Sequence, residues 1–169
     1  NKINFVFNVT DGDKFYIERI NILGNDITNE SVIRQKFVID EGDPFNTLLH
    51  NKSINNIKSA NIFKSAVSEI KDGSTEGLKV IDIRVEEKPT GQITAGAGYG
   101  SDGSTFIVGI KENNFNGNGI ELDANLQLTE QSVKGKFAYT TPNFAYTDRS
   151  LTTLLESTSV DKEEDYGYK

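Results

Sequence analysis

Residues 120–128 alternate without a break. Ile120, Leu122, Ala124, Leu126 and Leu128 stand on one parity, and Glu121, Asp123, Asn125 and Gln127 on the other. Only an extended strand sends successive side chains to opposite faces, so this stretch is a strand with one apolar and one polar side. Its neighbours behave alike. Ile93, Ala95, Ala97 and Tyr99 alternate with Gln92, Thr94, Gly96 and Gly98. Phe106, Val108 and Ile110 share a parity, Val133, Phe137 and Tyr139 are set against Lys134 and Lys136, and Leu151, Thr153 and Leu155 begin another run. Turn residues punctuate these runs at Ser101-Asp102-Gly103, Asn116-Gly117-Asn118-Gly119, Glu130-Gln131 and Pro142-Asn143. The pattern predicts five strands of about ten residues each.

Strands of this length with alternating faces suit a tilted, membrane-spanning β-sheet. The same alternation also suits a soluble sandwich or open sheet, so pattern alone leaves both open. Five strands cannot close a membrane barrel, which takes about eight or more. On the membrane reading, sequence is therefore expected beyond Lys169. Sequence is likewise expected before Asn1, because the chain contains no Met to start it.

Composition removes other classes. The net charge is -7, with 18 basic and 25 acidic side chains, which argues against a polyanionic partner such as nucleic acid. With no Cys, disulfide frameworks, thiol nucleophiles and Cys-ligated metals are excluded. One His, His50, leaves no His pair for a metal; it has no carboxylate or Ser at a catalytic spacing and reads as structural. Gly98–Gly103 spells G-x-G-x-x-G, but a strand-like run follows where a dinucleotide site needs a helix, so these are hairpin glycines. Asp161–Asp165 is an acidic cluster without the spacing of a Ca²⁺ loop and reads as a solvated loop.

The first half differs. Ile3, Phe5, Phe7 and Val9 alternate as a strand, and Thr10-Asp11-Gly12-Asp13 turns the chain. In Phe15–Leu23 the apolar parity switches between Ile17 and Ile20, which predicts a bulge or burial on both sides. Thr28 or Asn29 can cap a helix running through Val32, Ile33 and Phe37. A second helix is expected from about residue 46 to 60, its stripe formed by Leu49, Ser53, Ile54, Ile57 and Ala60. Asn61 suits the left-handed position after it. Strands are expected at Phe63–Ile70 and Leu78–Glu86. Pro89 cannot donate to a sheet ladder, so a domain boundary falls in Glu86-Glu87-Lys88-Pro89-Thr90-Gly91. The order is β-α-α-β-β, a small two-layer α+β domain.

Phe15-Tyr16-Ile17-Glu18-Arg19-Ile20, Gly24-Asn25, Val32-Ile33-Arg34, Glu41-Gly42, Phe45-Asn46 and Phe63 resemble the last POTRA (polypeptide-transport-associated) domain of the BamA family of outer-membrane assembly factors. Glu87-Lys88-Pro89-Thr90-Gly91, Gly96-Ala97-Gly98-Tyr99, Asn113-Asn114-Phe115-Asn116-Gly117-Asn118-Gly119 and Pro142-Asn143-Phe144 resemble the linker and first barrel strands of the same family. One departure is Asn61, where the family often has Gly. The resemblance implies that residues 1–12 end a preceding POTRA repeat and 13–88 form the final one. Residues 89–169 would hold the first five or so strands of a 16-stranded outer-membrane barrel. The POTRA part would lie in the periplasm, with turns near Gly117 and Asn143 on that side.

The implied function is to receive unfolded outer-membrane proteins and insert them into the outer membrane, in contact with outer-membrane lipid. No enzymatic activity, cofactor, metal, nucleic acid or small-molecule substrate is implied. Three sets of residues follow as expectations. Arg34 and Glu41 match positions that the family uses to dock an assembly-machine lipoprotein. Lys64, Ser65, Ala66, Val67, Ser68, Glu69 and Ile70 form the sheet edge to which a client can add a strand; Lys64, Ser65, Ser68 and the adjoining Lys71 discourage uncontrolled pairing. Gly96, Gly98 and Gly100 weaken the first barrel strand, which in the family forms a seam that opens sideways. The alternatives are a translocation pore of the same superfamily and a soluble β-rich binding or adhesin module.

Overall fold

The computed structural model describes residues 5–6, 13–100, 103–146 and 149–160. Most of the strand expected at Ile3–Val9, the turn that follows it, Ser101-Asp102 and the acidic cluster at Asp161–Asp165 lie outside the described residues.

The first unit runs β1 (Tyr16–Leu23), α1 (Glu30–Arg34), α2 (Thr47–Ser59), β2 (Phe63–Asp72) and β3 (Leu78–Glu87). Its sheet has the order β1-β3-β2, with β1 parallel and β2 antiparallel to β3. The parity switch in β1 is a register shift between Ile17 and Arg19. It lets both Ile17 and Ile20 face the helices, where they join Ile33, Ile57, Ile81 and Ile83 in the fully buried core. A core of isoleucines suits a sheet facing two short helices, because β-branched side chains fill a pleated surface without wide rotamer freedom.

The helices depart from expectation in detail. α1 stops at Arg34 rather than reaching Phe37. The chain tightens there, with Lys36 N–H bonding Ile33 C=O and Phe37 N–H bonding Arg34 C=O, both i to i−3 bonds that end an α-helix. Phe37 still packs on the core. In α2, Asn46 is the cap, its Oδ1 accepting from the N–H groups of Leu48 and Leu49 at 2.9 and 3.2 Å. The buried face holds His50, Ser53, Ile54 and Ile57, so the stripe is rotated and Leu49 is half-exposed. His50 is buried against Phe45 with Nε2 2.8 Å from Ser68 Oγ, a bond that ties α2 to β2. Asn61 adopts φ 59°, the left-handed stop.

The second unit is one antiparallel sheet in sequence order: β4 (Gly91–Gly100), β5 (Gly103–Phe115), β6 (Ile120–Thr129), β7 (Ser132–Thr141) and β8 (Leu151–Val160). Its register places unlike rows on its two faces. Ile93, Ile110, Ala124, Phe137 and Leu155 form one transverse row; Thr94, Gly109, Asn125, Lys136 and Glu156 form the next, on the opposite face. Among the described residues nothing covers the apolar face: Ile93 is 82% exposed, Phe106 54% and Leu155 62%. So wide an uncovered apolar face is unfit for water and fits lipid. Ten residues at ~3.4 Å each, tilted ~45°, reach across a hydrocarbon band of roughly 25 Å.

Candidate functional site

The two edges of the first sheet are built differently. β2 has β3 on one side and no strand on the other among the described residues. The stretch Lys64–Ile70 lies on this open edge. Its lysines fold inward. Lys64 Nζ reaches Glu86 at 2.7 Å and Lys71 Nζ reaches Asp82 at 2.6 Å, both across to β3. The hydrogen bond and charge of Lys64 hold the Glu86 carboxyl below its ordinary value, and Glu86 in turn raises Lys64. Val67 is left 64% exposed between them.

The β1 edge is closed instead. Ile17 N–H bonds Asp43 C=O, Gly42 N–H bonds Ile17 C=O, and Phe45 N–H bonds Phe15 C=O, so residues 42–45 cover its first half. The next outward-facing peptide groups belong to Ile20, and Arg34 and Glu41 close on both. Glu41 Oε1 accepts Ile20 N–H at 3.0 Å, and Arg34 Nη2 donates to Ile20 C=O at 3.0 Å. The two side chains stand 3.6 Å apart, and Arg34 also pairs with Glu30 at 2.7 Å. The structure thus brings together the two residues expected to meet a lipoprotein. It also gives them a task the sequence did not show, finishing a sheet edge. Both side chains remain about 40% exposed and can be reached from solvent.

Between the two units, residues 24–29 meet the turn after β5. A register shift between Glu112 and Phe115 marks a bulge, which re-aims Asn114 out of the ladder. Asn114 is buried; its Nδ2 donates to Thr28 Oγ1 at 2.9 Å and its Oδ1 accepts Gly119 N–H at 2.8 Å. Asn29 N–H bonds Gly117 C=O at 2.9 Å, and Asn29 Nδ2 donates to Asn118 Oδ1 at 2.7 Å.

Residues 15–88 match the POTRA family model, described as surface antigen variable number repeat. The chain is 30% identical over 148 residues to the outer membrane protein assembly factor BamA of Buchnera aphidicola, covering 86% of this chain and 24% of that protein. It is 30% identical over 127 residues to the BamA of Neorickettsia risticii, covering 75% and 17%. It therefore spans about a fifth of these relatives (24% and 17%). The crystal structure of BamA from Haemophilus ducreyi lacking POTRA domains 1-3 superposes with TM-score 0.79 at 26% identity, over 89% of this chain and 29% of that one. CdiB from Escherichia coli shares the fold, with TM-score 0.56 at 16% identity over 86% and 27%. The chain is a BamA-type POTRA domain joined to the opening strands of its barrel. It belongs to the outer membrane, with the POTRA domain in the periplasm.

In the barrel sheet, Gly96, Gly98 and Gly100 all lie on the polar face of β4, opposite Ile107, Thr105 and Gly103 of β5. A Cβ added at any of the three would meet nothing within 4 Å. β4 is an edge of this sheet, paired with β5 along its whole length and with no second partner among the described residues.

Sequence reasoning missed the POTRA–barrel junction. Thr28 and Asn29 read as alternative helix caps. Asn29 does hold the cap position, but it makes no side-chain cap bond; its Nδ2 donates to Asn118 instead. Glu87, read only as part of the linker, accepts the N–H groups of Ile27 and Thr28 at 2.9 and 2.7 Å. Burial pushes its carboxyl up, but hydrogen bonds from the Thr28 side chain and from the backbone of Ile27, Thr28 and Asp26 outweigh that and hold it below its ordinary value. The signal was present in the run Asn113–Gly119, whose four asparagines exceed what one turn needs.

Proposed function

We propose that the whole protein receives unfolded outer-membrane proteins in the periplasm and inserts them into the outer membrane. The observation that carries this reading is the make-up of β4, the first strand of this sheet, in which Gly96, Gly98 and Gly100 are bare of contacts on one face. Strand pairing draws its strength from cross-strand side-chain contacts as well as from the ladder. A strand lacking them can exchange partners at low cost, which is what accepting a client strand requires. The open edge of β2 offers a second template, on the periplasmic side, for a client still in transit. Arg34 and Glu41 form the contact for an assembly-machine lipoprotein: a charged pair, already ordered by its bonds to Ile20, loses little side-chain freedom on docking.

The test is client insertion by the purified whole protein in lipid vesicles. Gly96→Val with Gly98→Val adds β-branched packing without a clash and is expected to slow insertion while leaving the barrel folded. Unchanged insertion removes the seam from the mechanism. Export of an exoprotein across the membrane, with no client inserted, would favour the translocation pore. For the lipoprotein contact, Glu41→Gln retains an acceptor for Ile20 but loses the charge. It should weaken lipoprotein co-purification with the POTRA fold intact; normal binding counts against the assignment.

A further inference from the structure

We propose that Asn114 is a positioning residue for insertion: through Thr28 it latches the POTRA domain to the first periplasmic turn of the barrel, fixing the direction in which the POTRA domain presents a client to β4. The proposal rests on the assembly-factor reading for its functional half only.

Three observations carry it. The first is continuity. Asn114 bonds Thr28, and Thr28 donates its N–H to Glu87, the last residue of β3, at 2.7 Å. A chain of hydrogen bonds thus runs from the barrel turn, through the POTRA loop, to the start of the linker, and bypasses Lys88-Pro89-Thr90. The linker is secured separately, by Lys88 N–H to Ile62 C=O at 3.1 Å and by Asn113 Nδ2 to Thr90 C=O at 3.3 Å. Two units joined by three residues and nothing else would pivot; these cannot without breaking buried bonds.

The second is closeness of approach. A Cβ on Gly117 would lie 2.2 Å from the Ile27 carbonyl oxygen, and one on Gly119 would lie 2.9 Å from Val32 Cγ1. The turn is seated against the POTRA main chain to a depth that only glycine permits. The third is the character of the surroundings. Beside the latch lies a cleft of about 380 Å³ lined by polar groups including Gln35, Asn56, Asn113, Asn118 and Asn143. Asn143 of the turn after β7 donates to Gln35 at 3.1 Å there, an exposed bond. The junction is therefore not a packed apolar interface. Its specificity comes from directional bonds, and the buried Asn114–Thr28 bond is the one that water cannot replace without cost.

The test uses the whole protein in lipid vesicles, spin-labelled at Lys52→Cys on α2 and Lys134→Cys on β7. This stretch contributes no cysteine of its own. The latched chain should give one narrow distance. Thr28→Val removes the hydroxyl and keeps the shape, and Asn114→Ala removes the amide. Each should lower the ratio of latched to displaced molecules by roughly fivefold to tenfold, the scale of one lost buried hydrogen bond, and slow insertion in proportion. Thr28→Ser keeps the hydroxyl and should restore both. The double variant should be no worse than the worse single one. Narrow distances in both single variants overturn the latch, and broad distances with normal insertion overturn its positioning role. If the unaltered protein inserts no client, the assembly-factor reading fails, while the distances still report on the latch.

Discussion

Eight of the 15 glycines fall between Gly91 and Gly119, and the structure divides them into opposites. Gly96, Gly98 and Gly100 in β4 have open space where a Cβ would be. Gly117 and Gly119, at the turn after β5, have φ of 71° and 65° and are pressed against the POTRA domain. The same residue type therefore serves two mechanical ends. In the strand, its missing side chain removes packing, which is the basis of the proposed exchangeable edge. In the turn, the missing side chain allows contact too close for any other residue, and the junction becomes stiff. A pliable edge held at a fixed angle to its feeding domain is what the proposed insertion needs.

The sharpest way to break that contrast is to add one methyl to each region. Gly117→Ala should be severe. It places a Cβ on the Ile27 carbonyl in a left-handed conformation that costs an alanine about 1–2 kcal/mol by itself. The expected outcome is a displaced POTRA domain, seen as a broadened interdomain distance, with the POTRA domain itself still folded. Gly98→Ala should be mild and opposite in sign, because the added methyl meets nothing and strand glycine is costlier than alanine by about 0.5–1 kcal/mol. Denaturant unfolding of the whole protein should show no loss of stability. A loss like that of Gly117→Ala would end the distinction.

Acid probes the junction and the POTRA core at different pH. Glu87 has a depressed carboxyl, so its bonds to residues 27 and 28 are intact above pH ~4.5, the ordinary glutamate value, and are lost as pH falls through the depressed value. Interdomain distances should broaden in that window. His50 is shifted down as well, but by burial, so the neutral ring is favoured in the fold. That contribution is complete above pH ~6.5 and is lost as pH falls below it. POTRA stability should thus begin to weaken at a higher pH than the junction, and His50→Gln should remove that early phase.

How much of this was legible in the sequence depended on the range of the interaction. The period-2 runs located all five barrel strands, because alternation is written in neighbours along the chain. The bulge in β1 was legible for the same reason, through the spacing of Ile17 and Ile20. The end of α1 was not, since the i to i−3 bonds of Lys36 and Phe37 leave no mark on residue type. Arg34 and Glu41 were singled out by family position, but their closure on Ile20 joins residues 14 and 21 positions apart and needed the fold. The junction was the least legible part. Asn114 and Thr28 are 86 residues apart, and each has an adequate local reading, as a turn residue and as a helix cap. Local sufficiency concealed the long-range bond.

Hydrogen exchange on the whole protein in a lipid bilayer, read peptide by peptide, tests the contrast most directly. The account predicts that the amides of Asn29 and Gly119, both bonded across or within the junction, exchange at least about tenfold more slowly than those of residues 96–100, since local opening free energy follows buried contacts. Equal protection in the two regions, or a β4 as protected as the central strand β6, would contradict it.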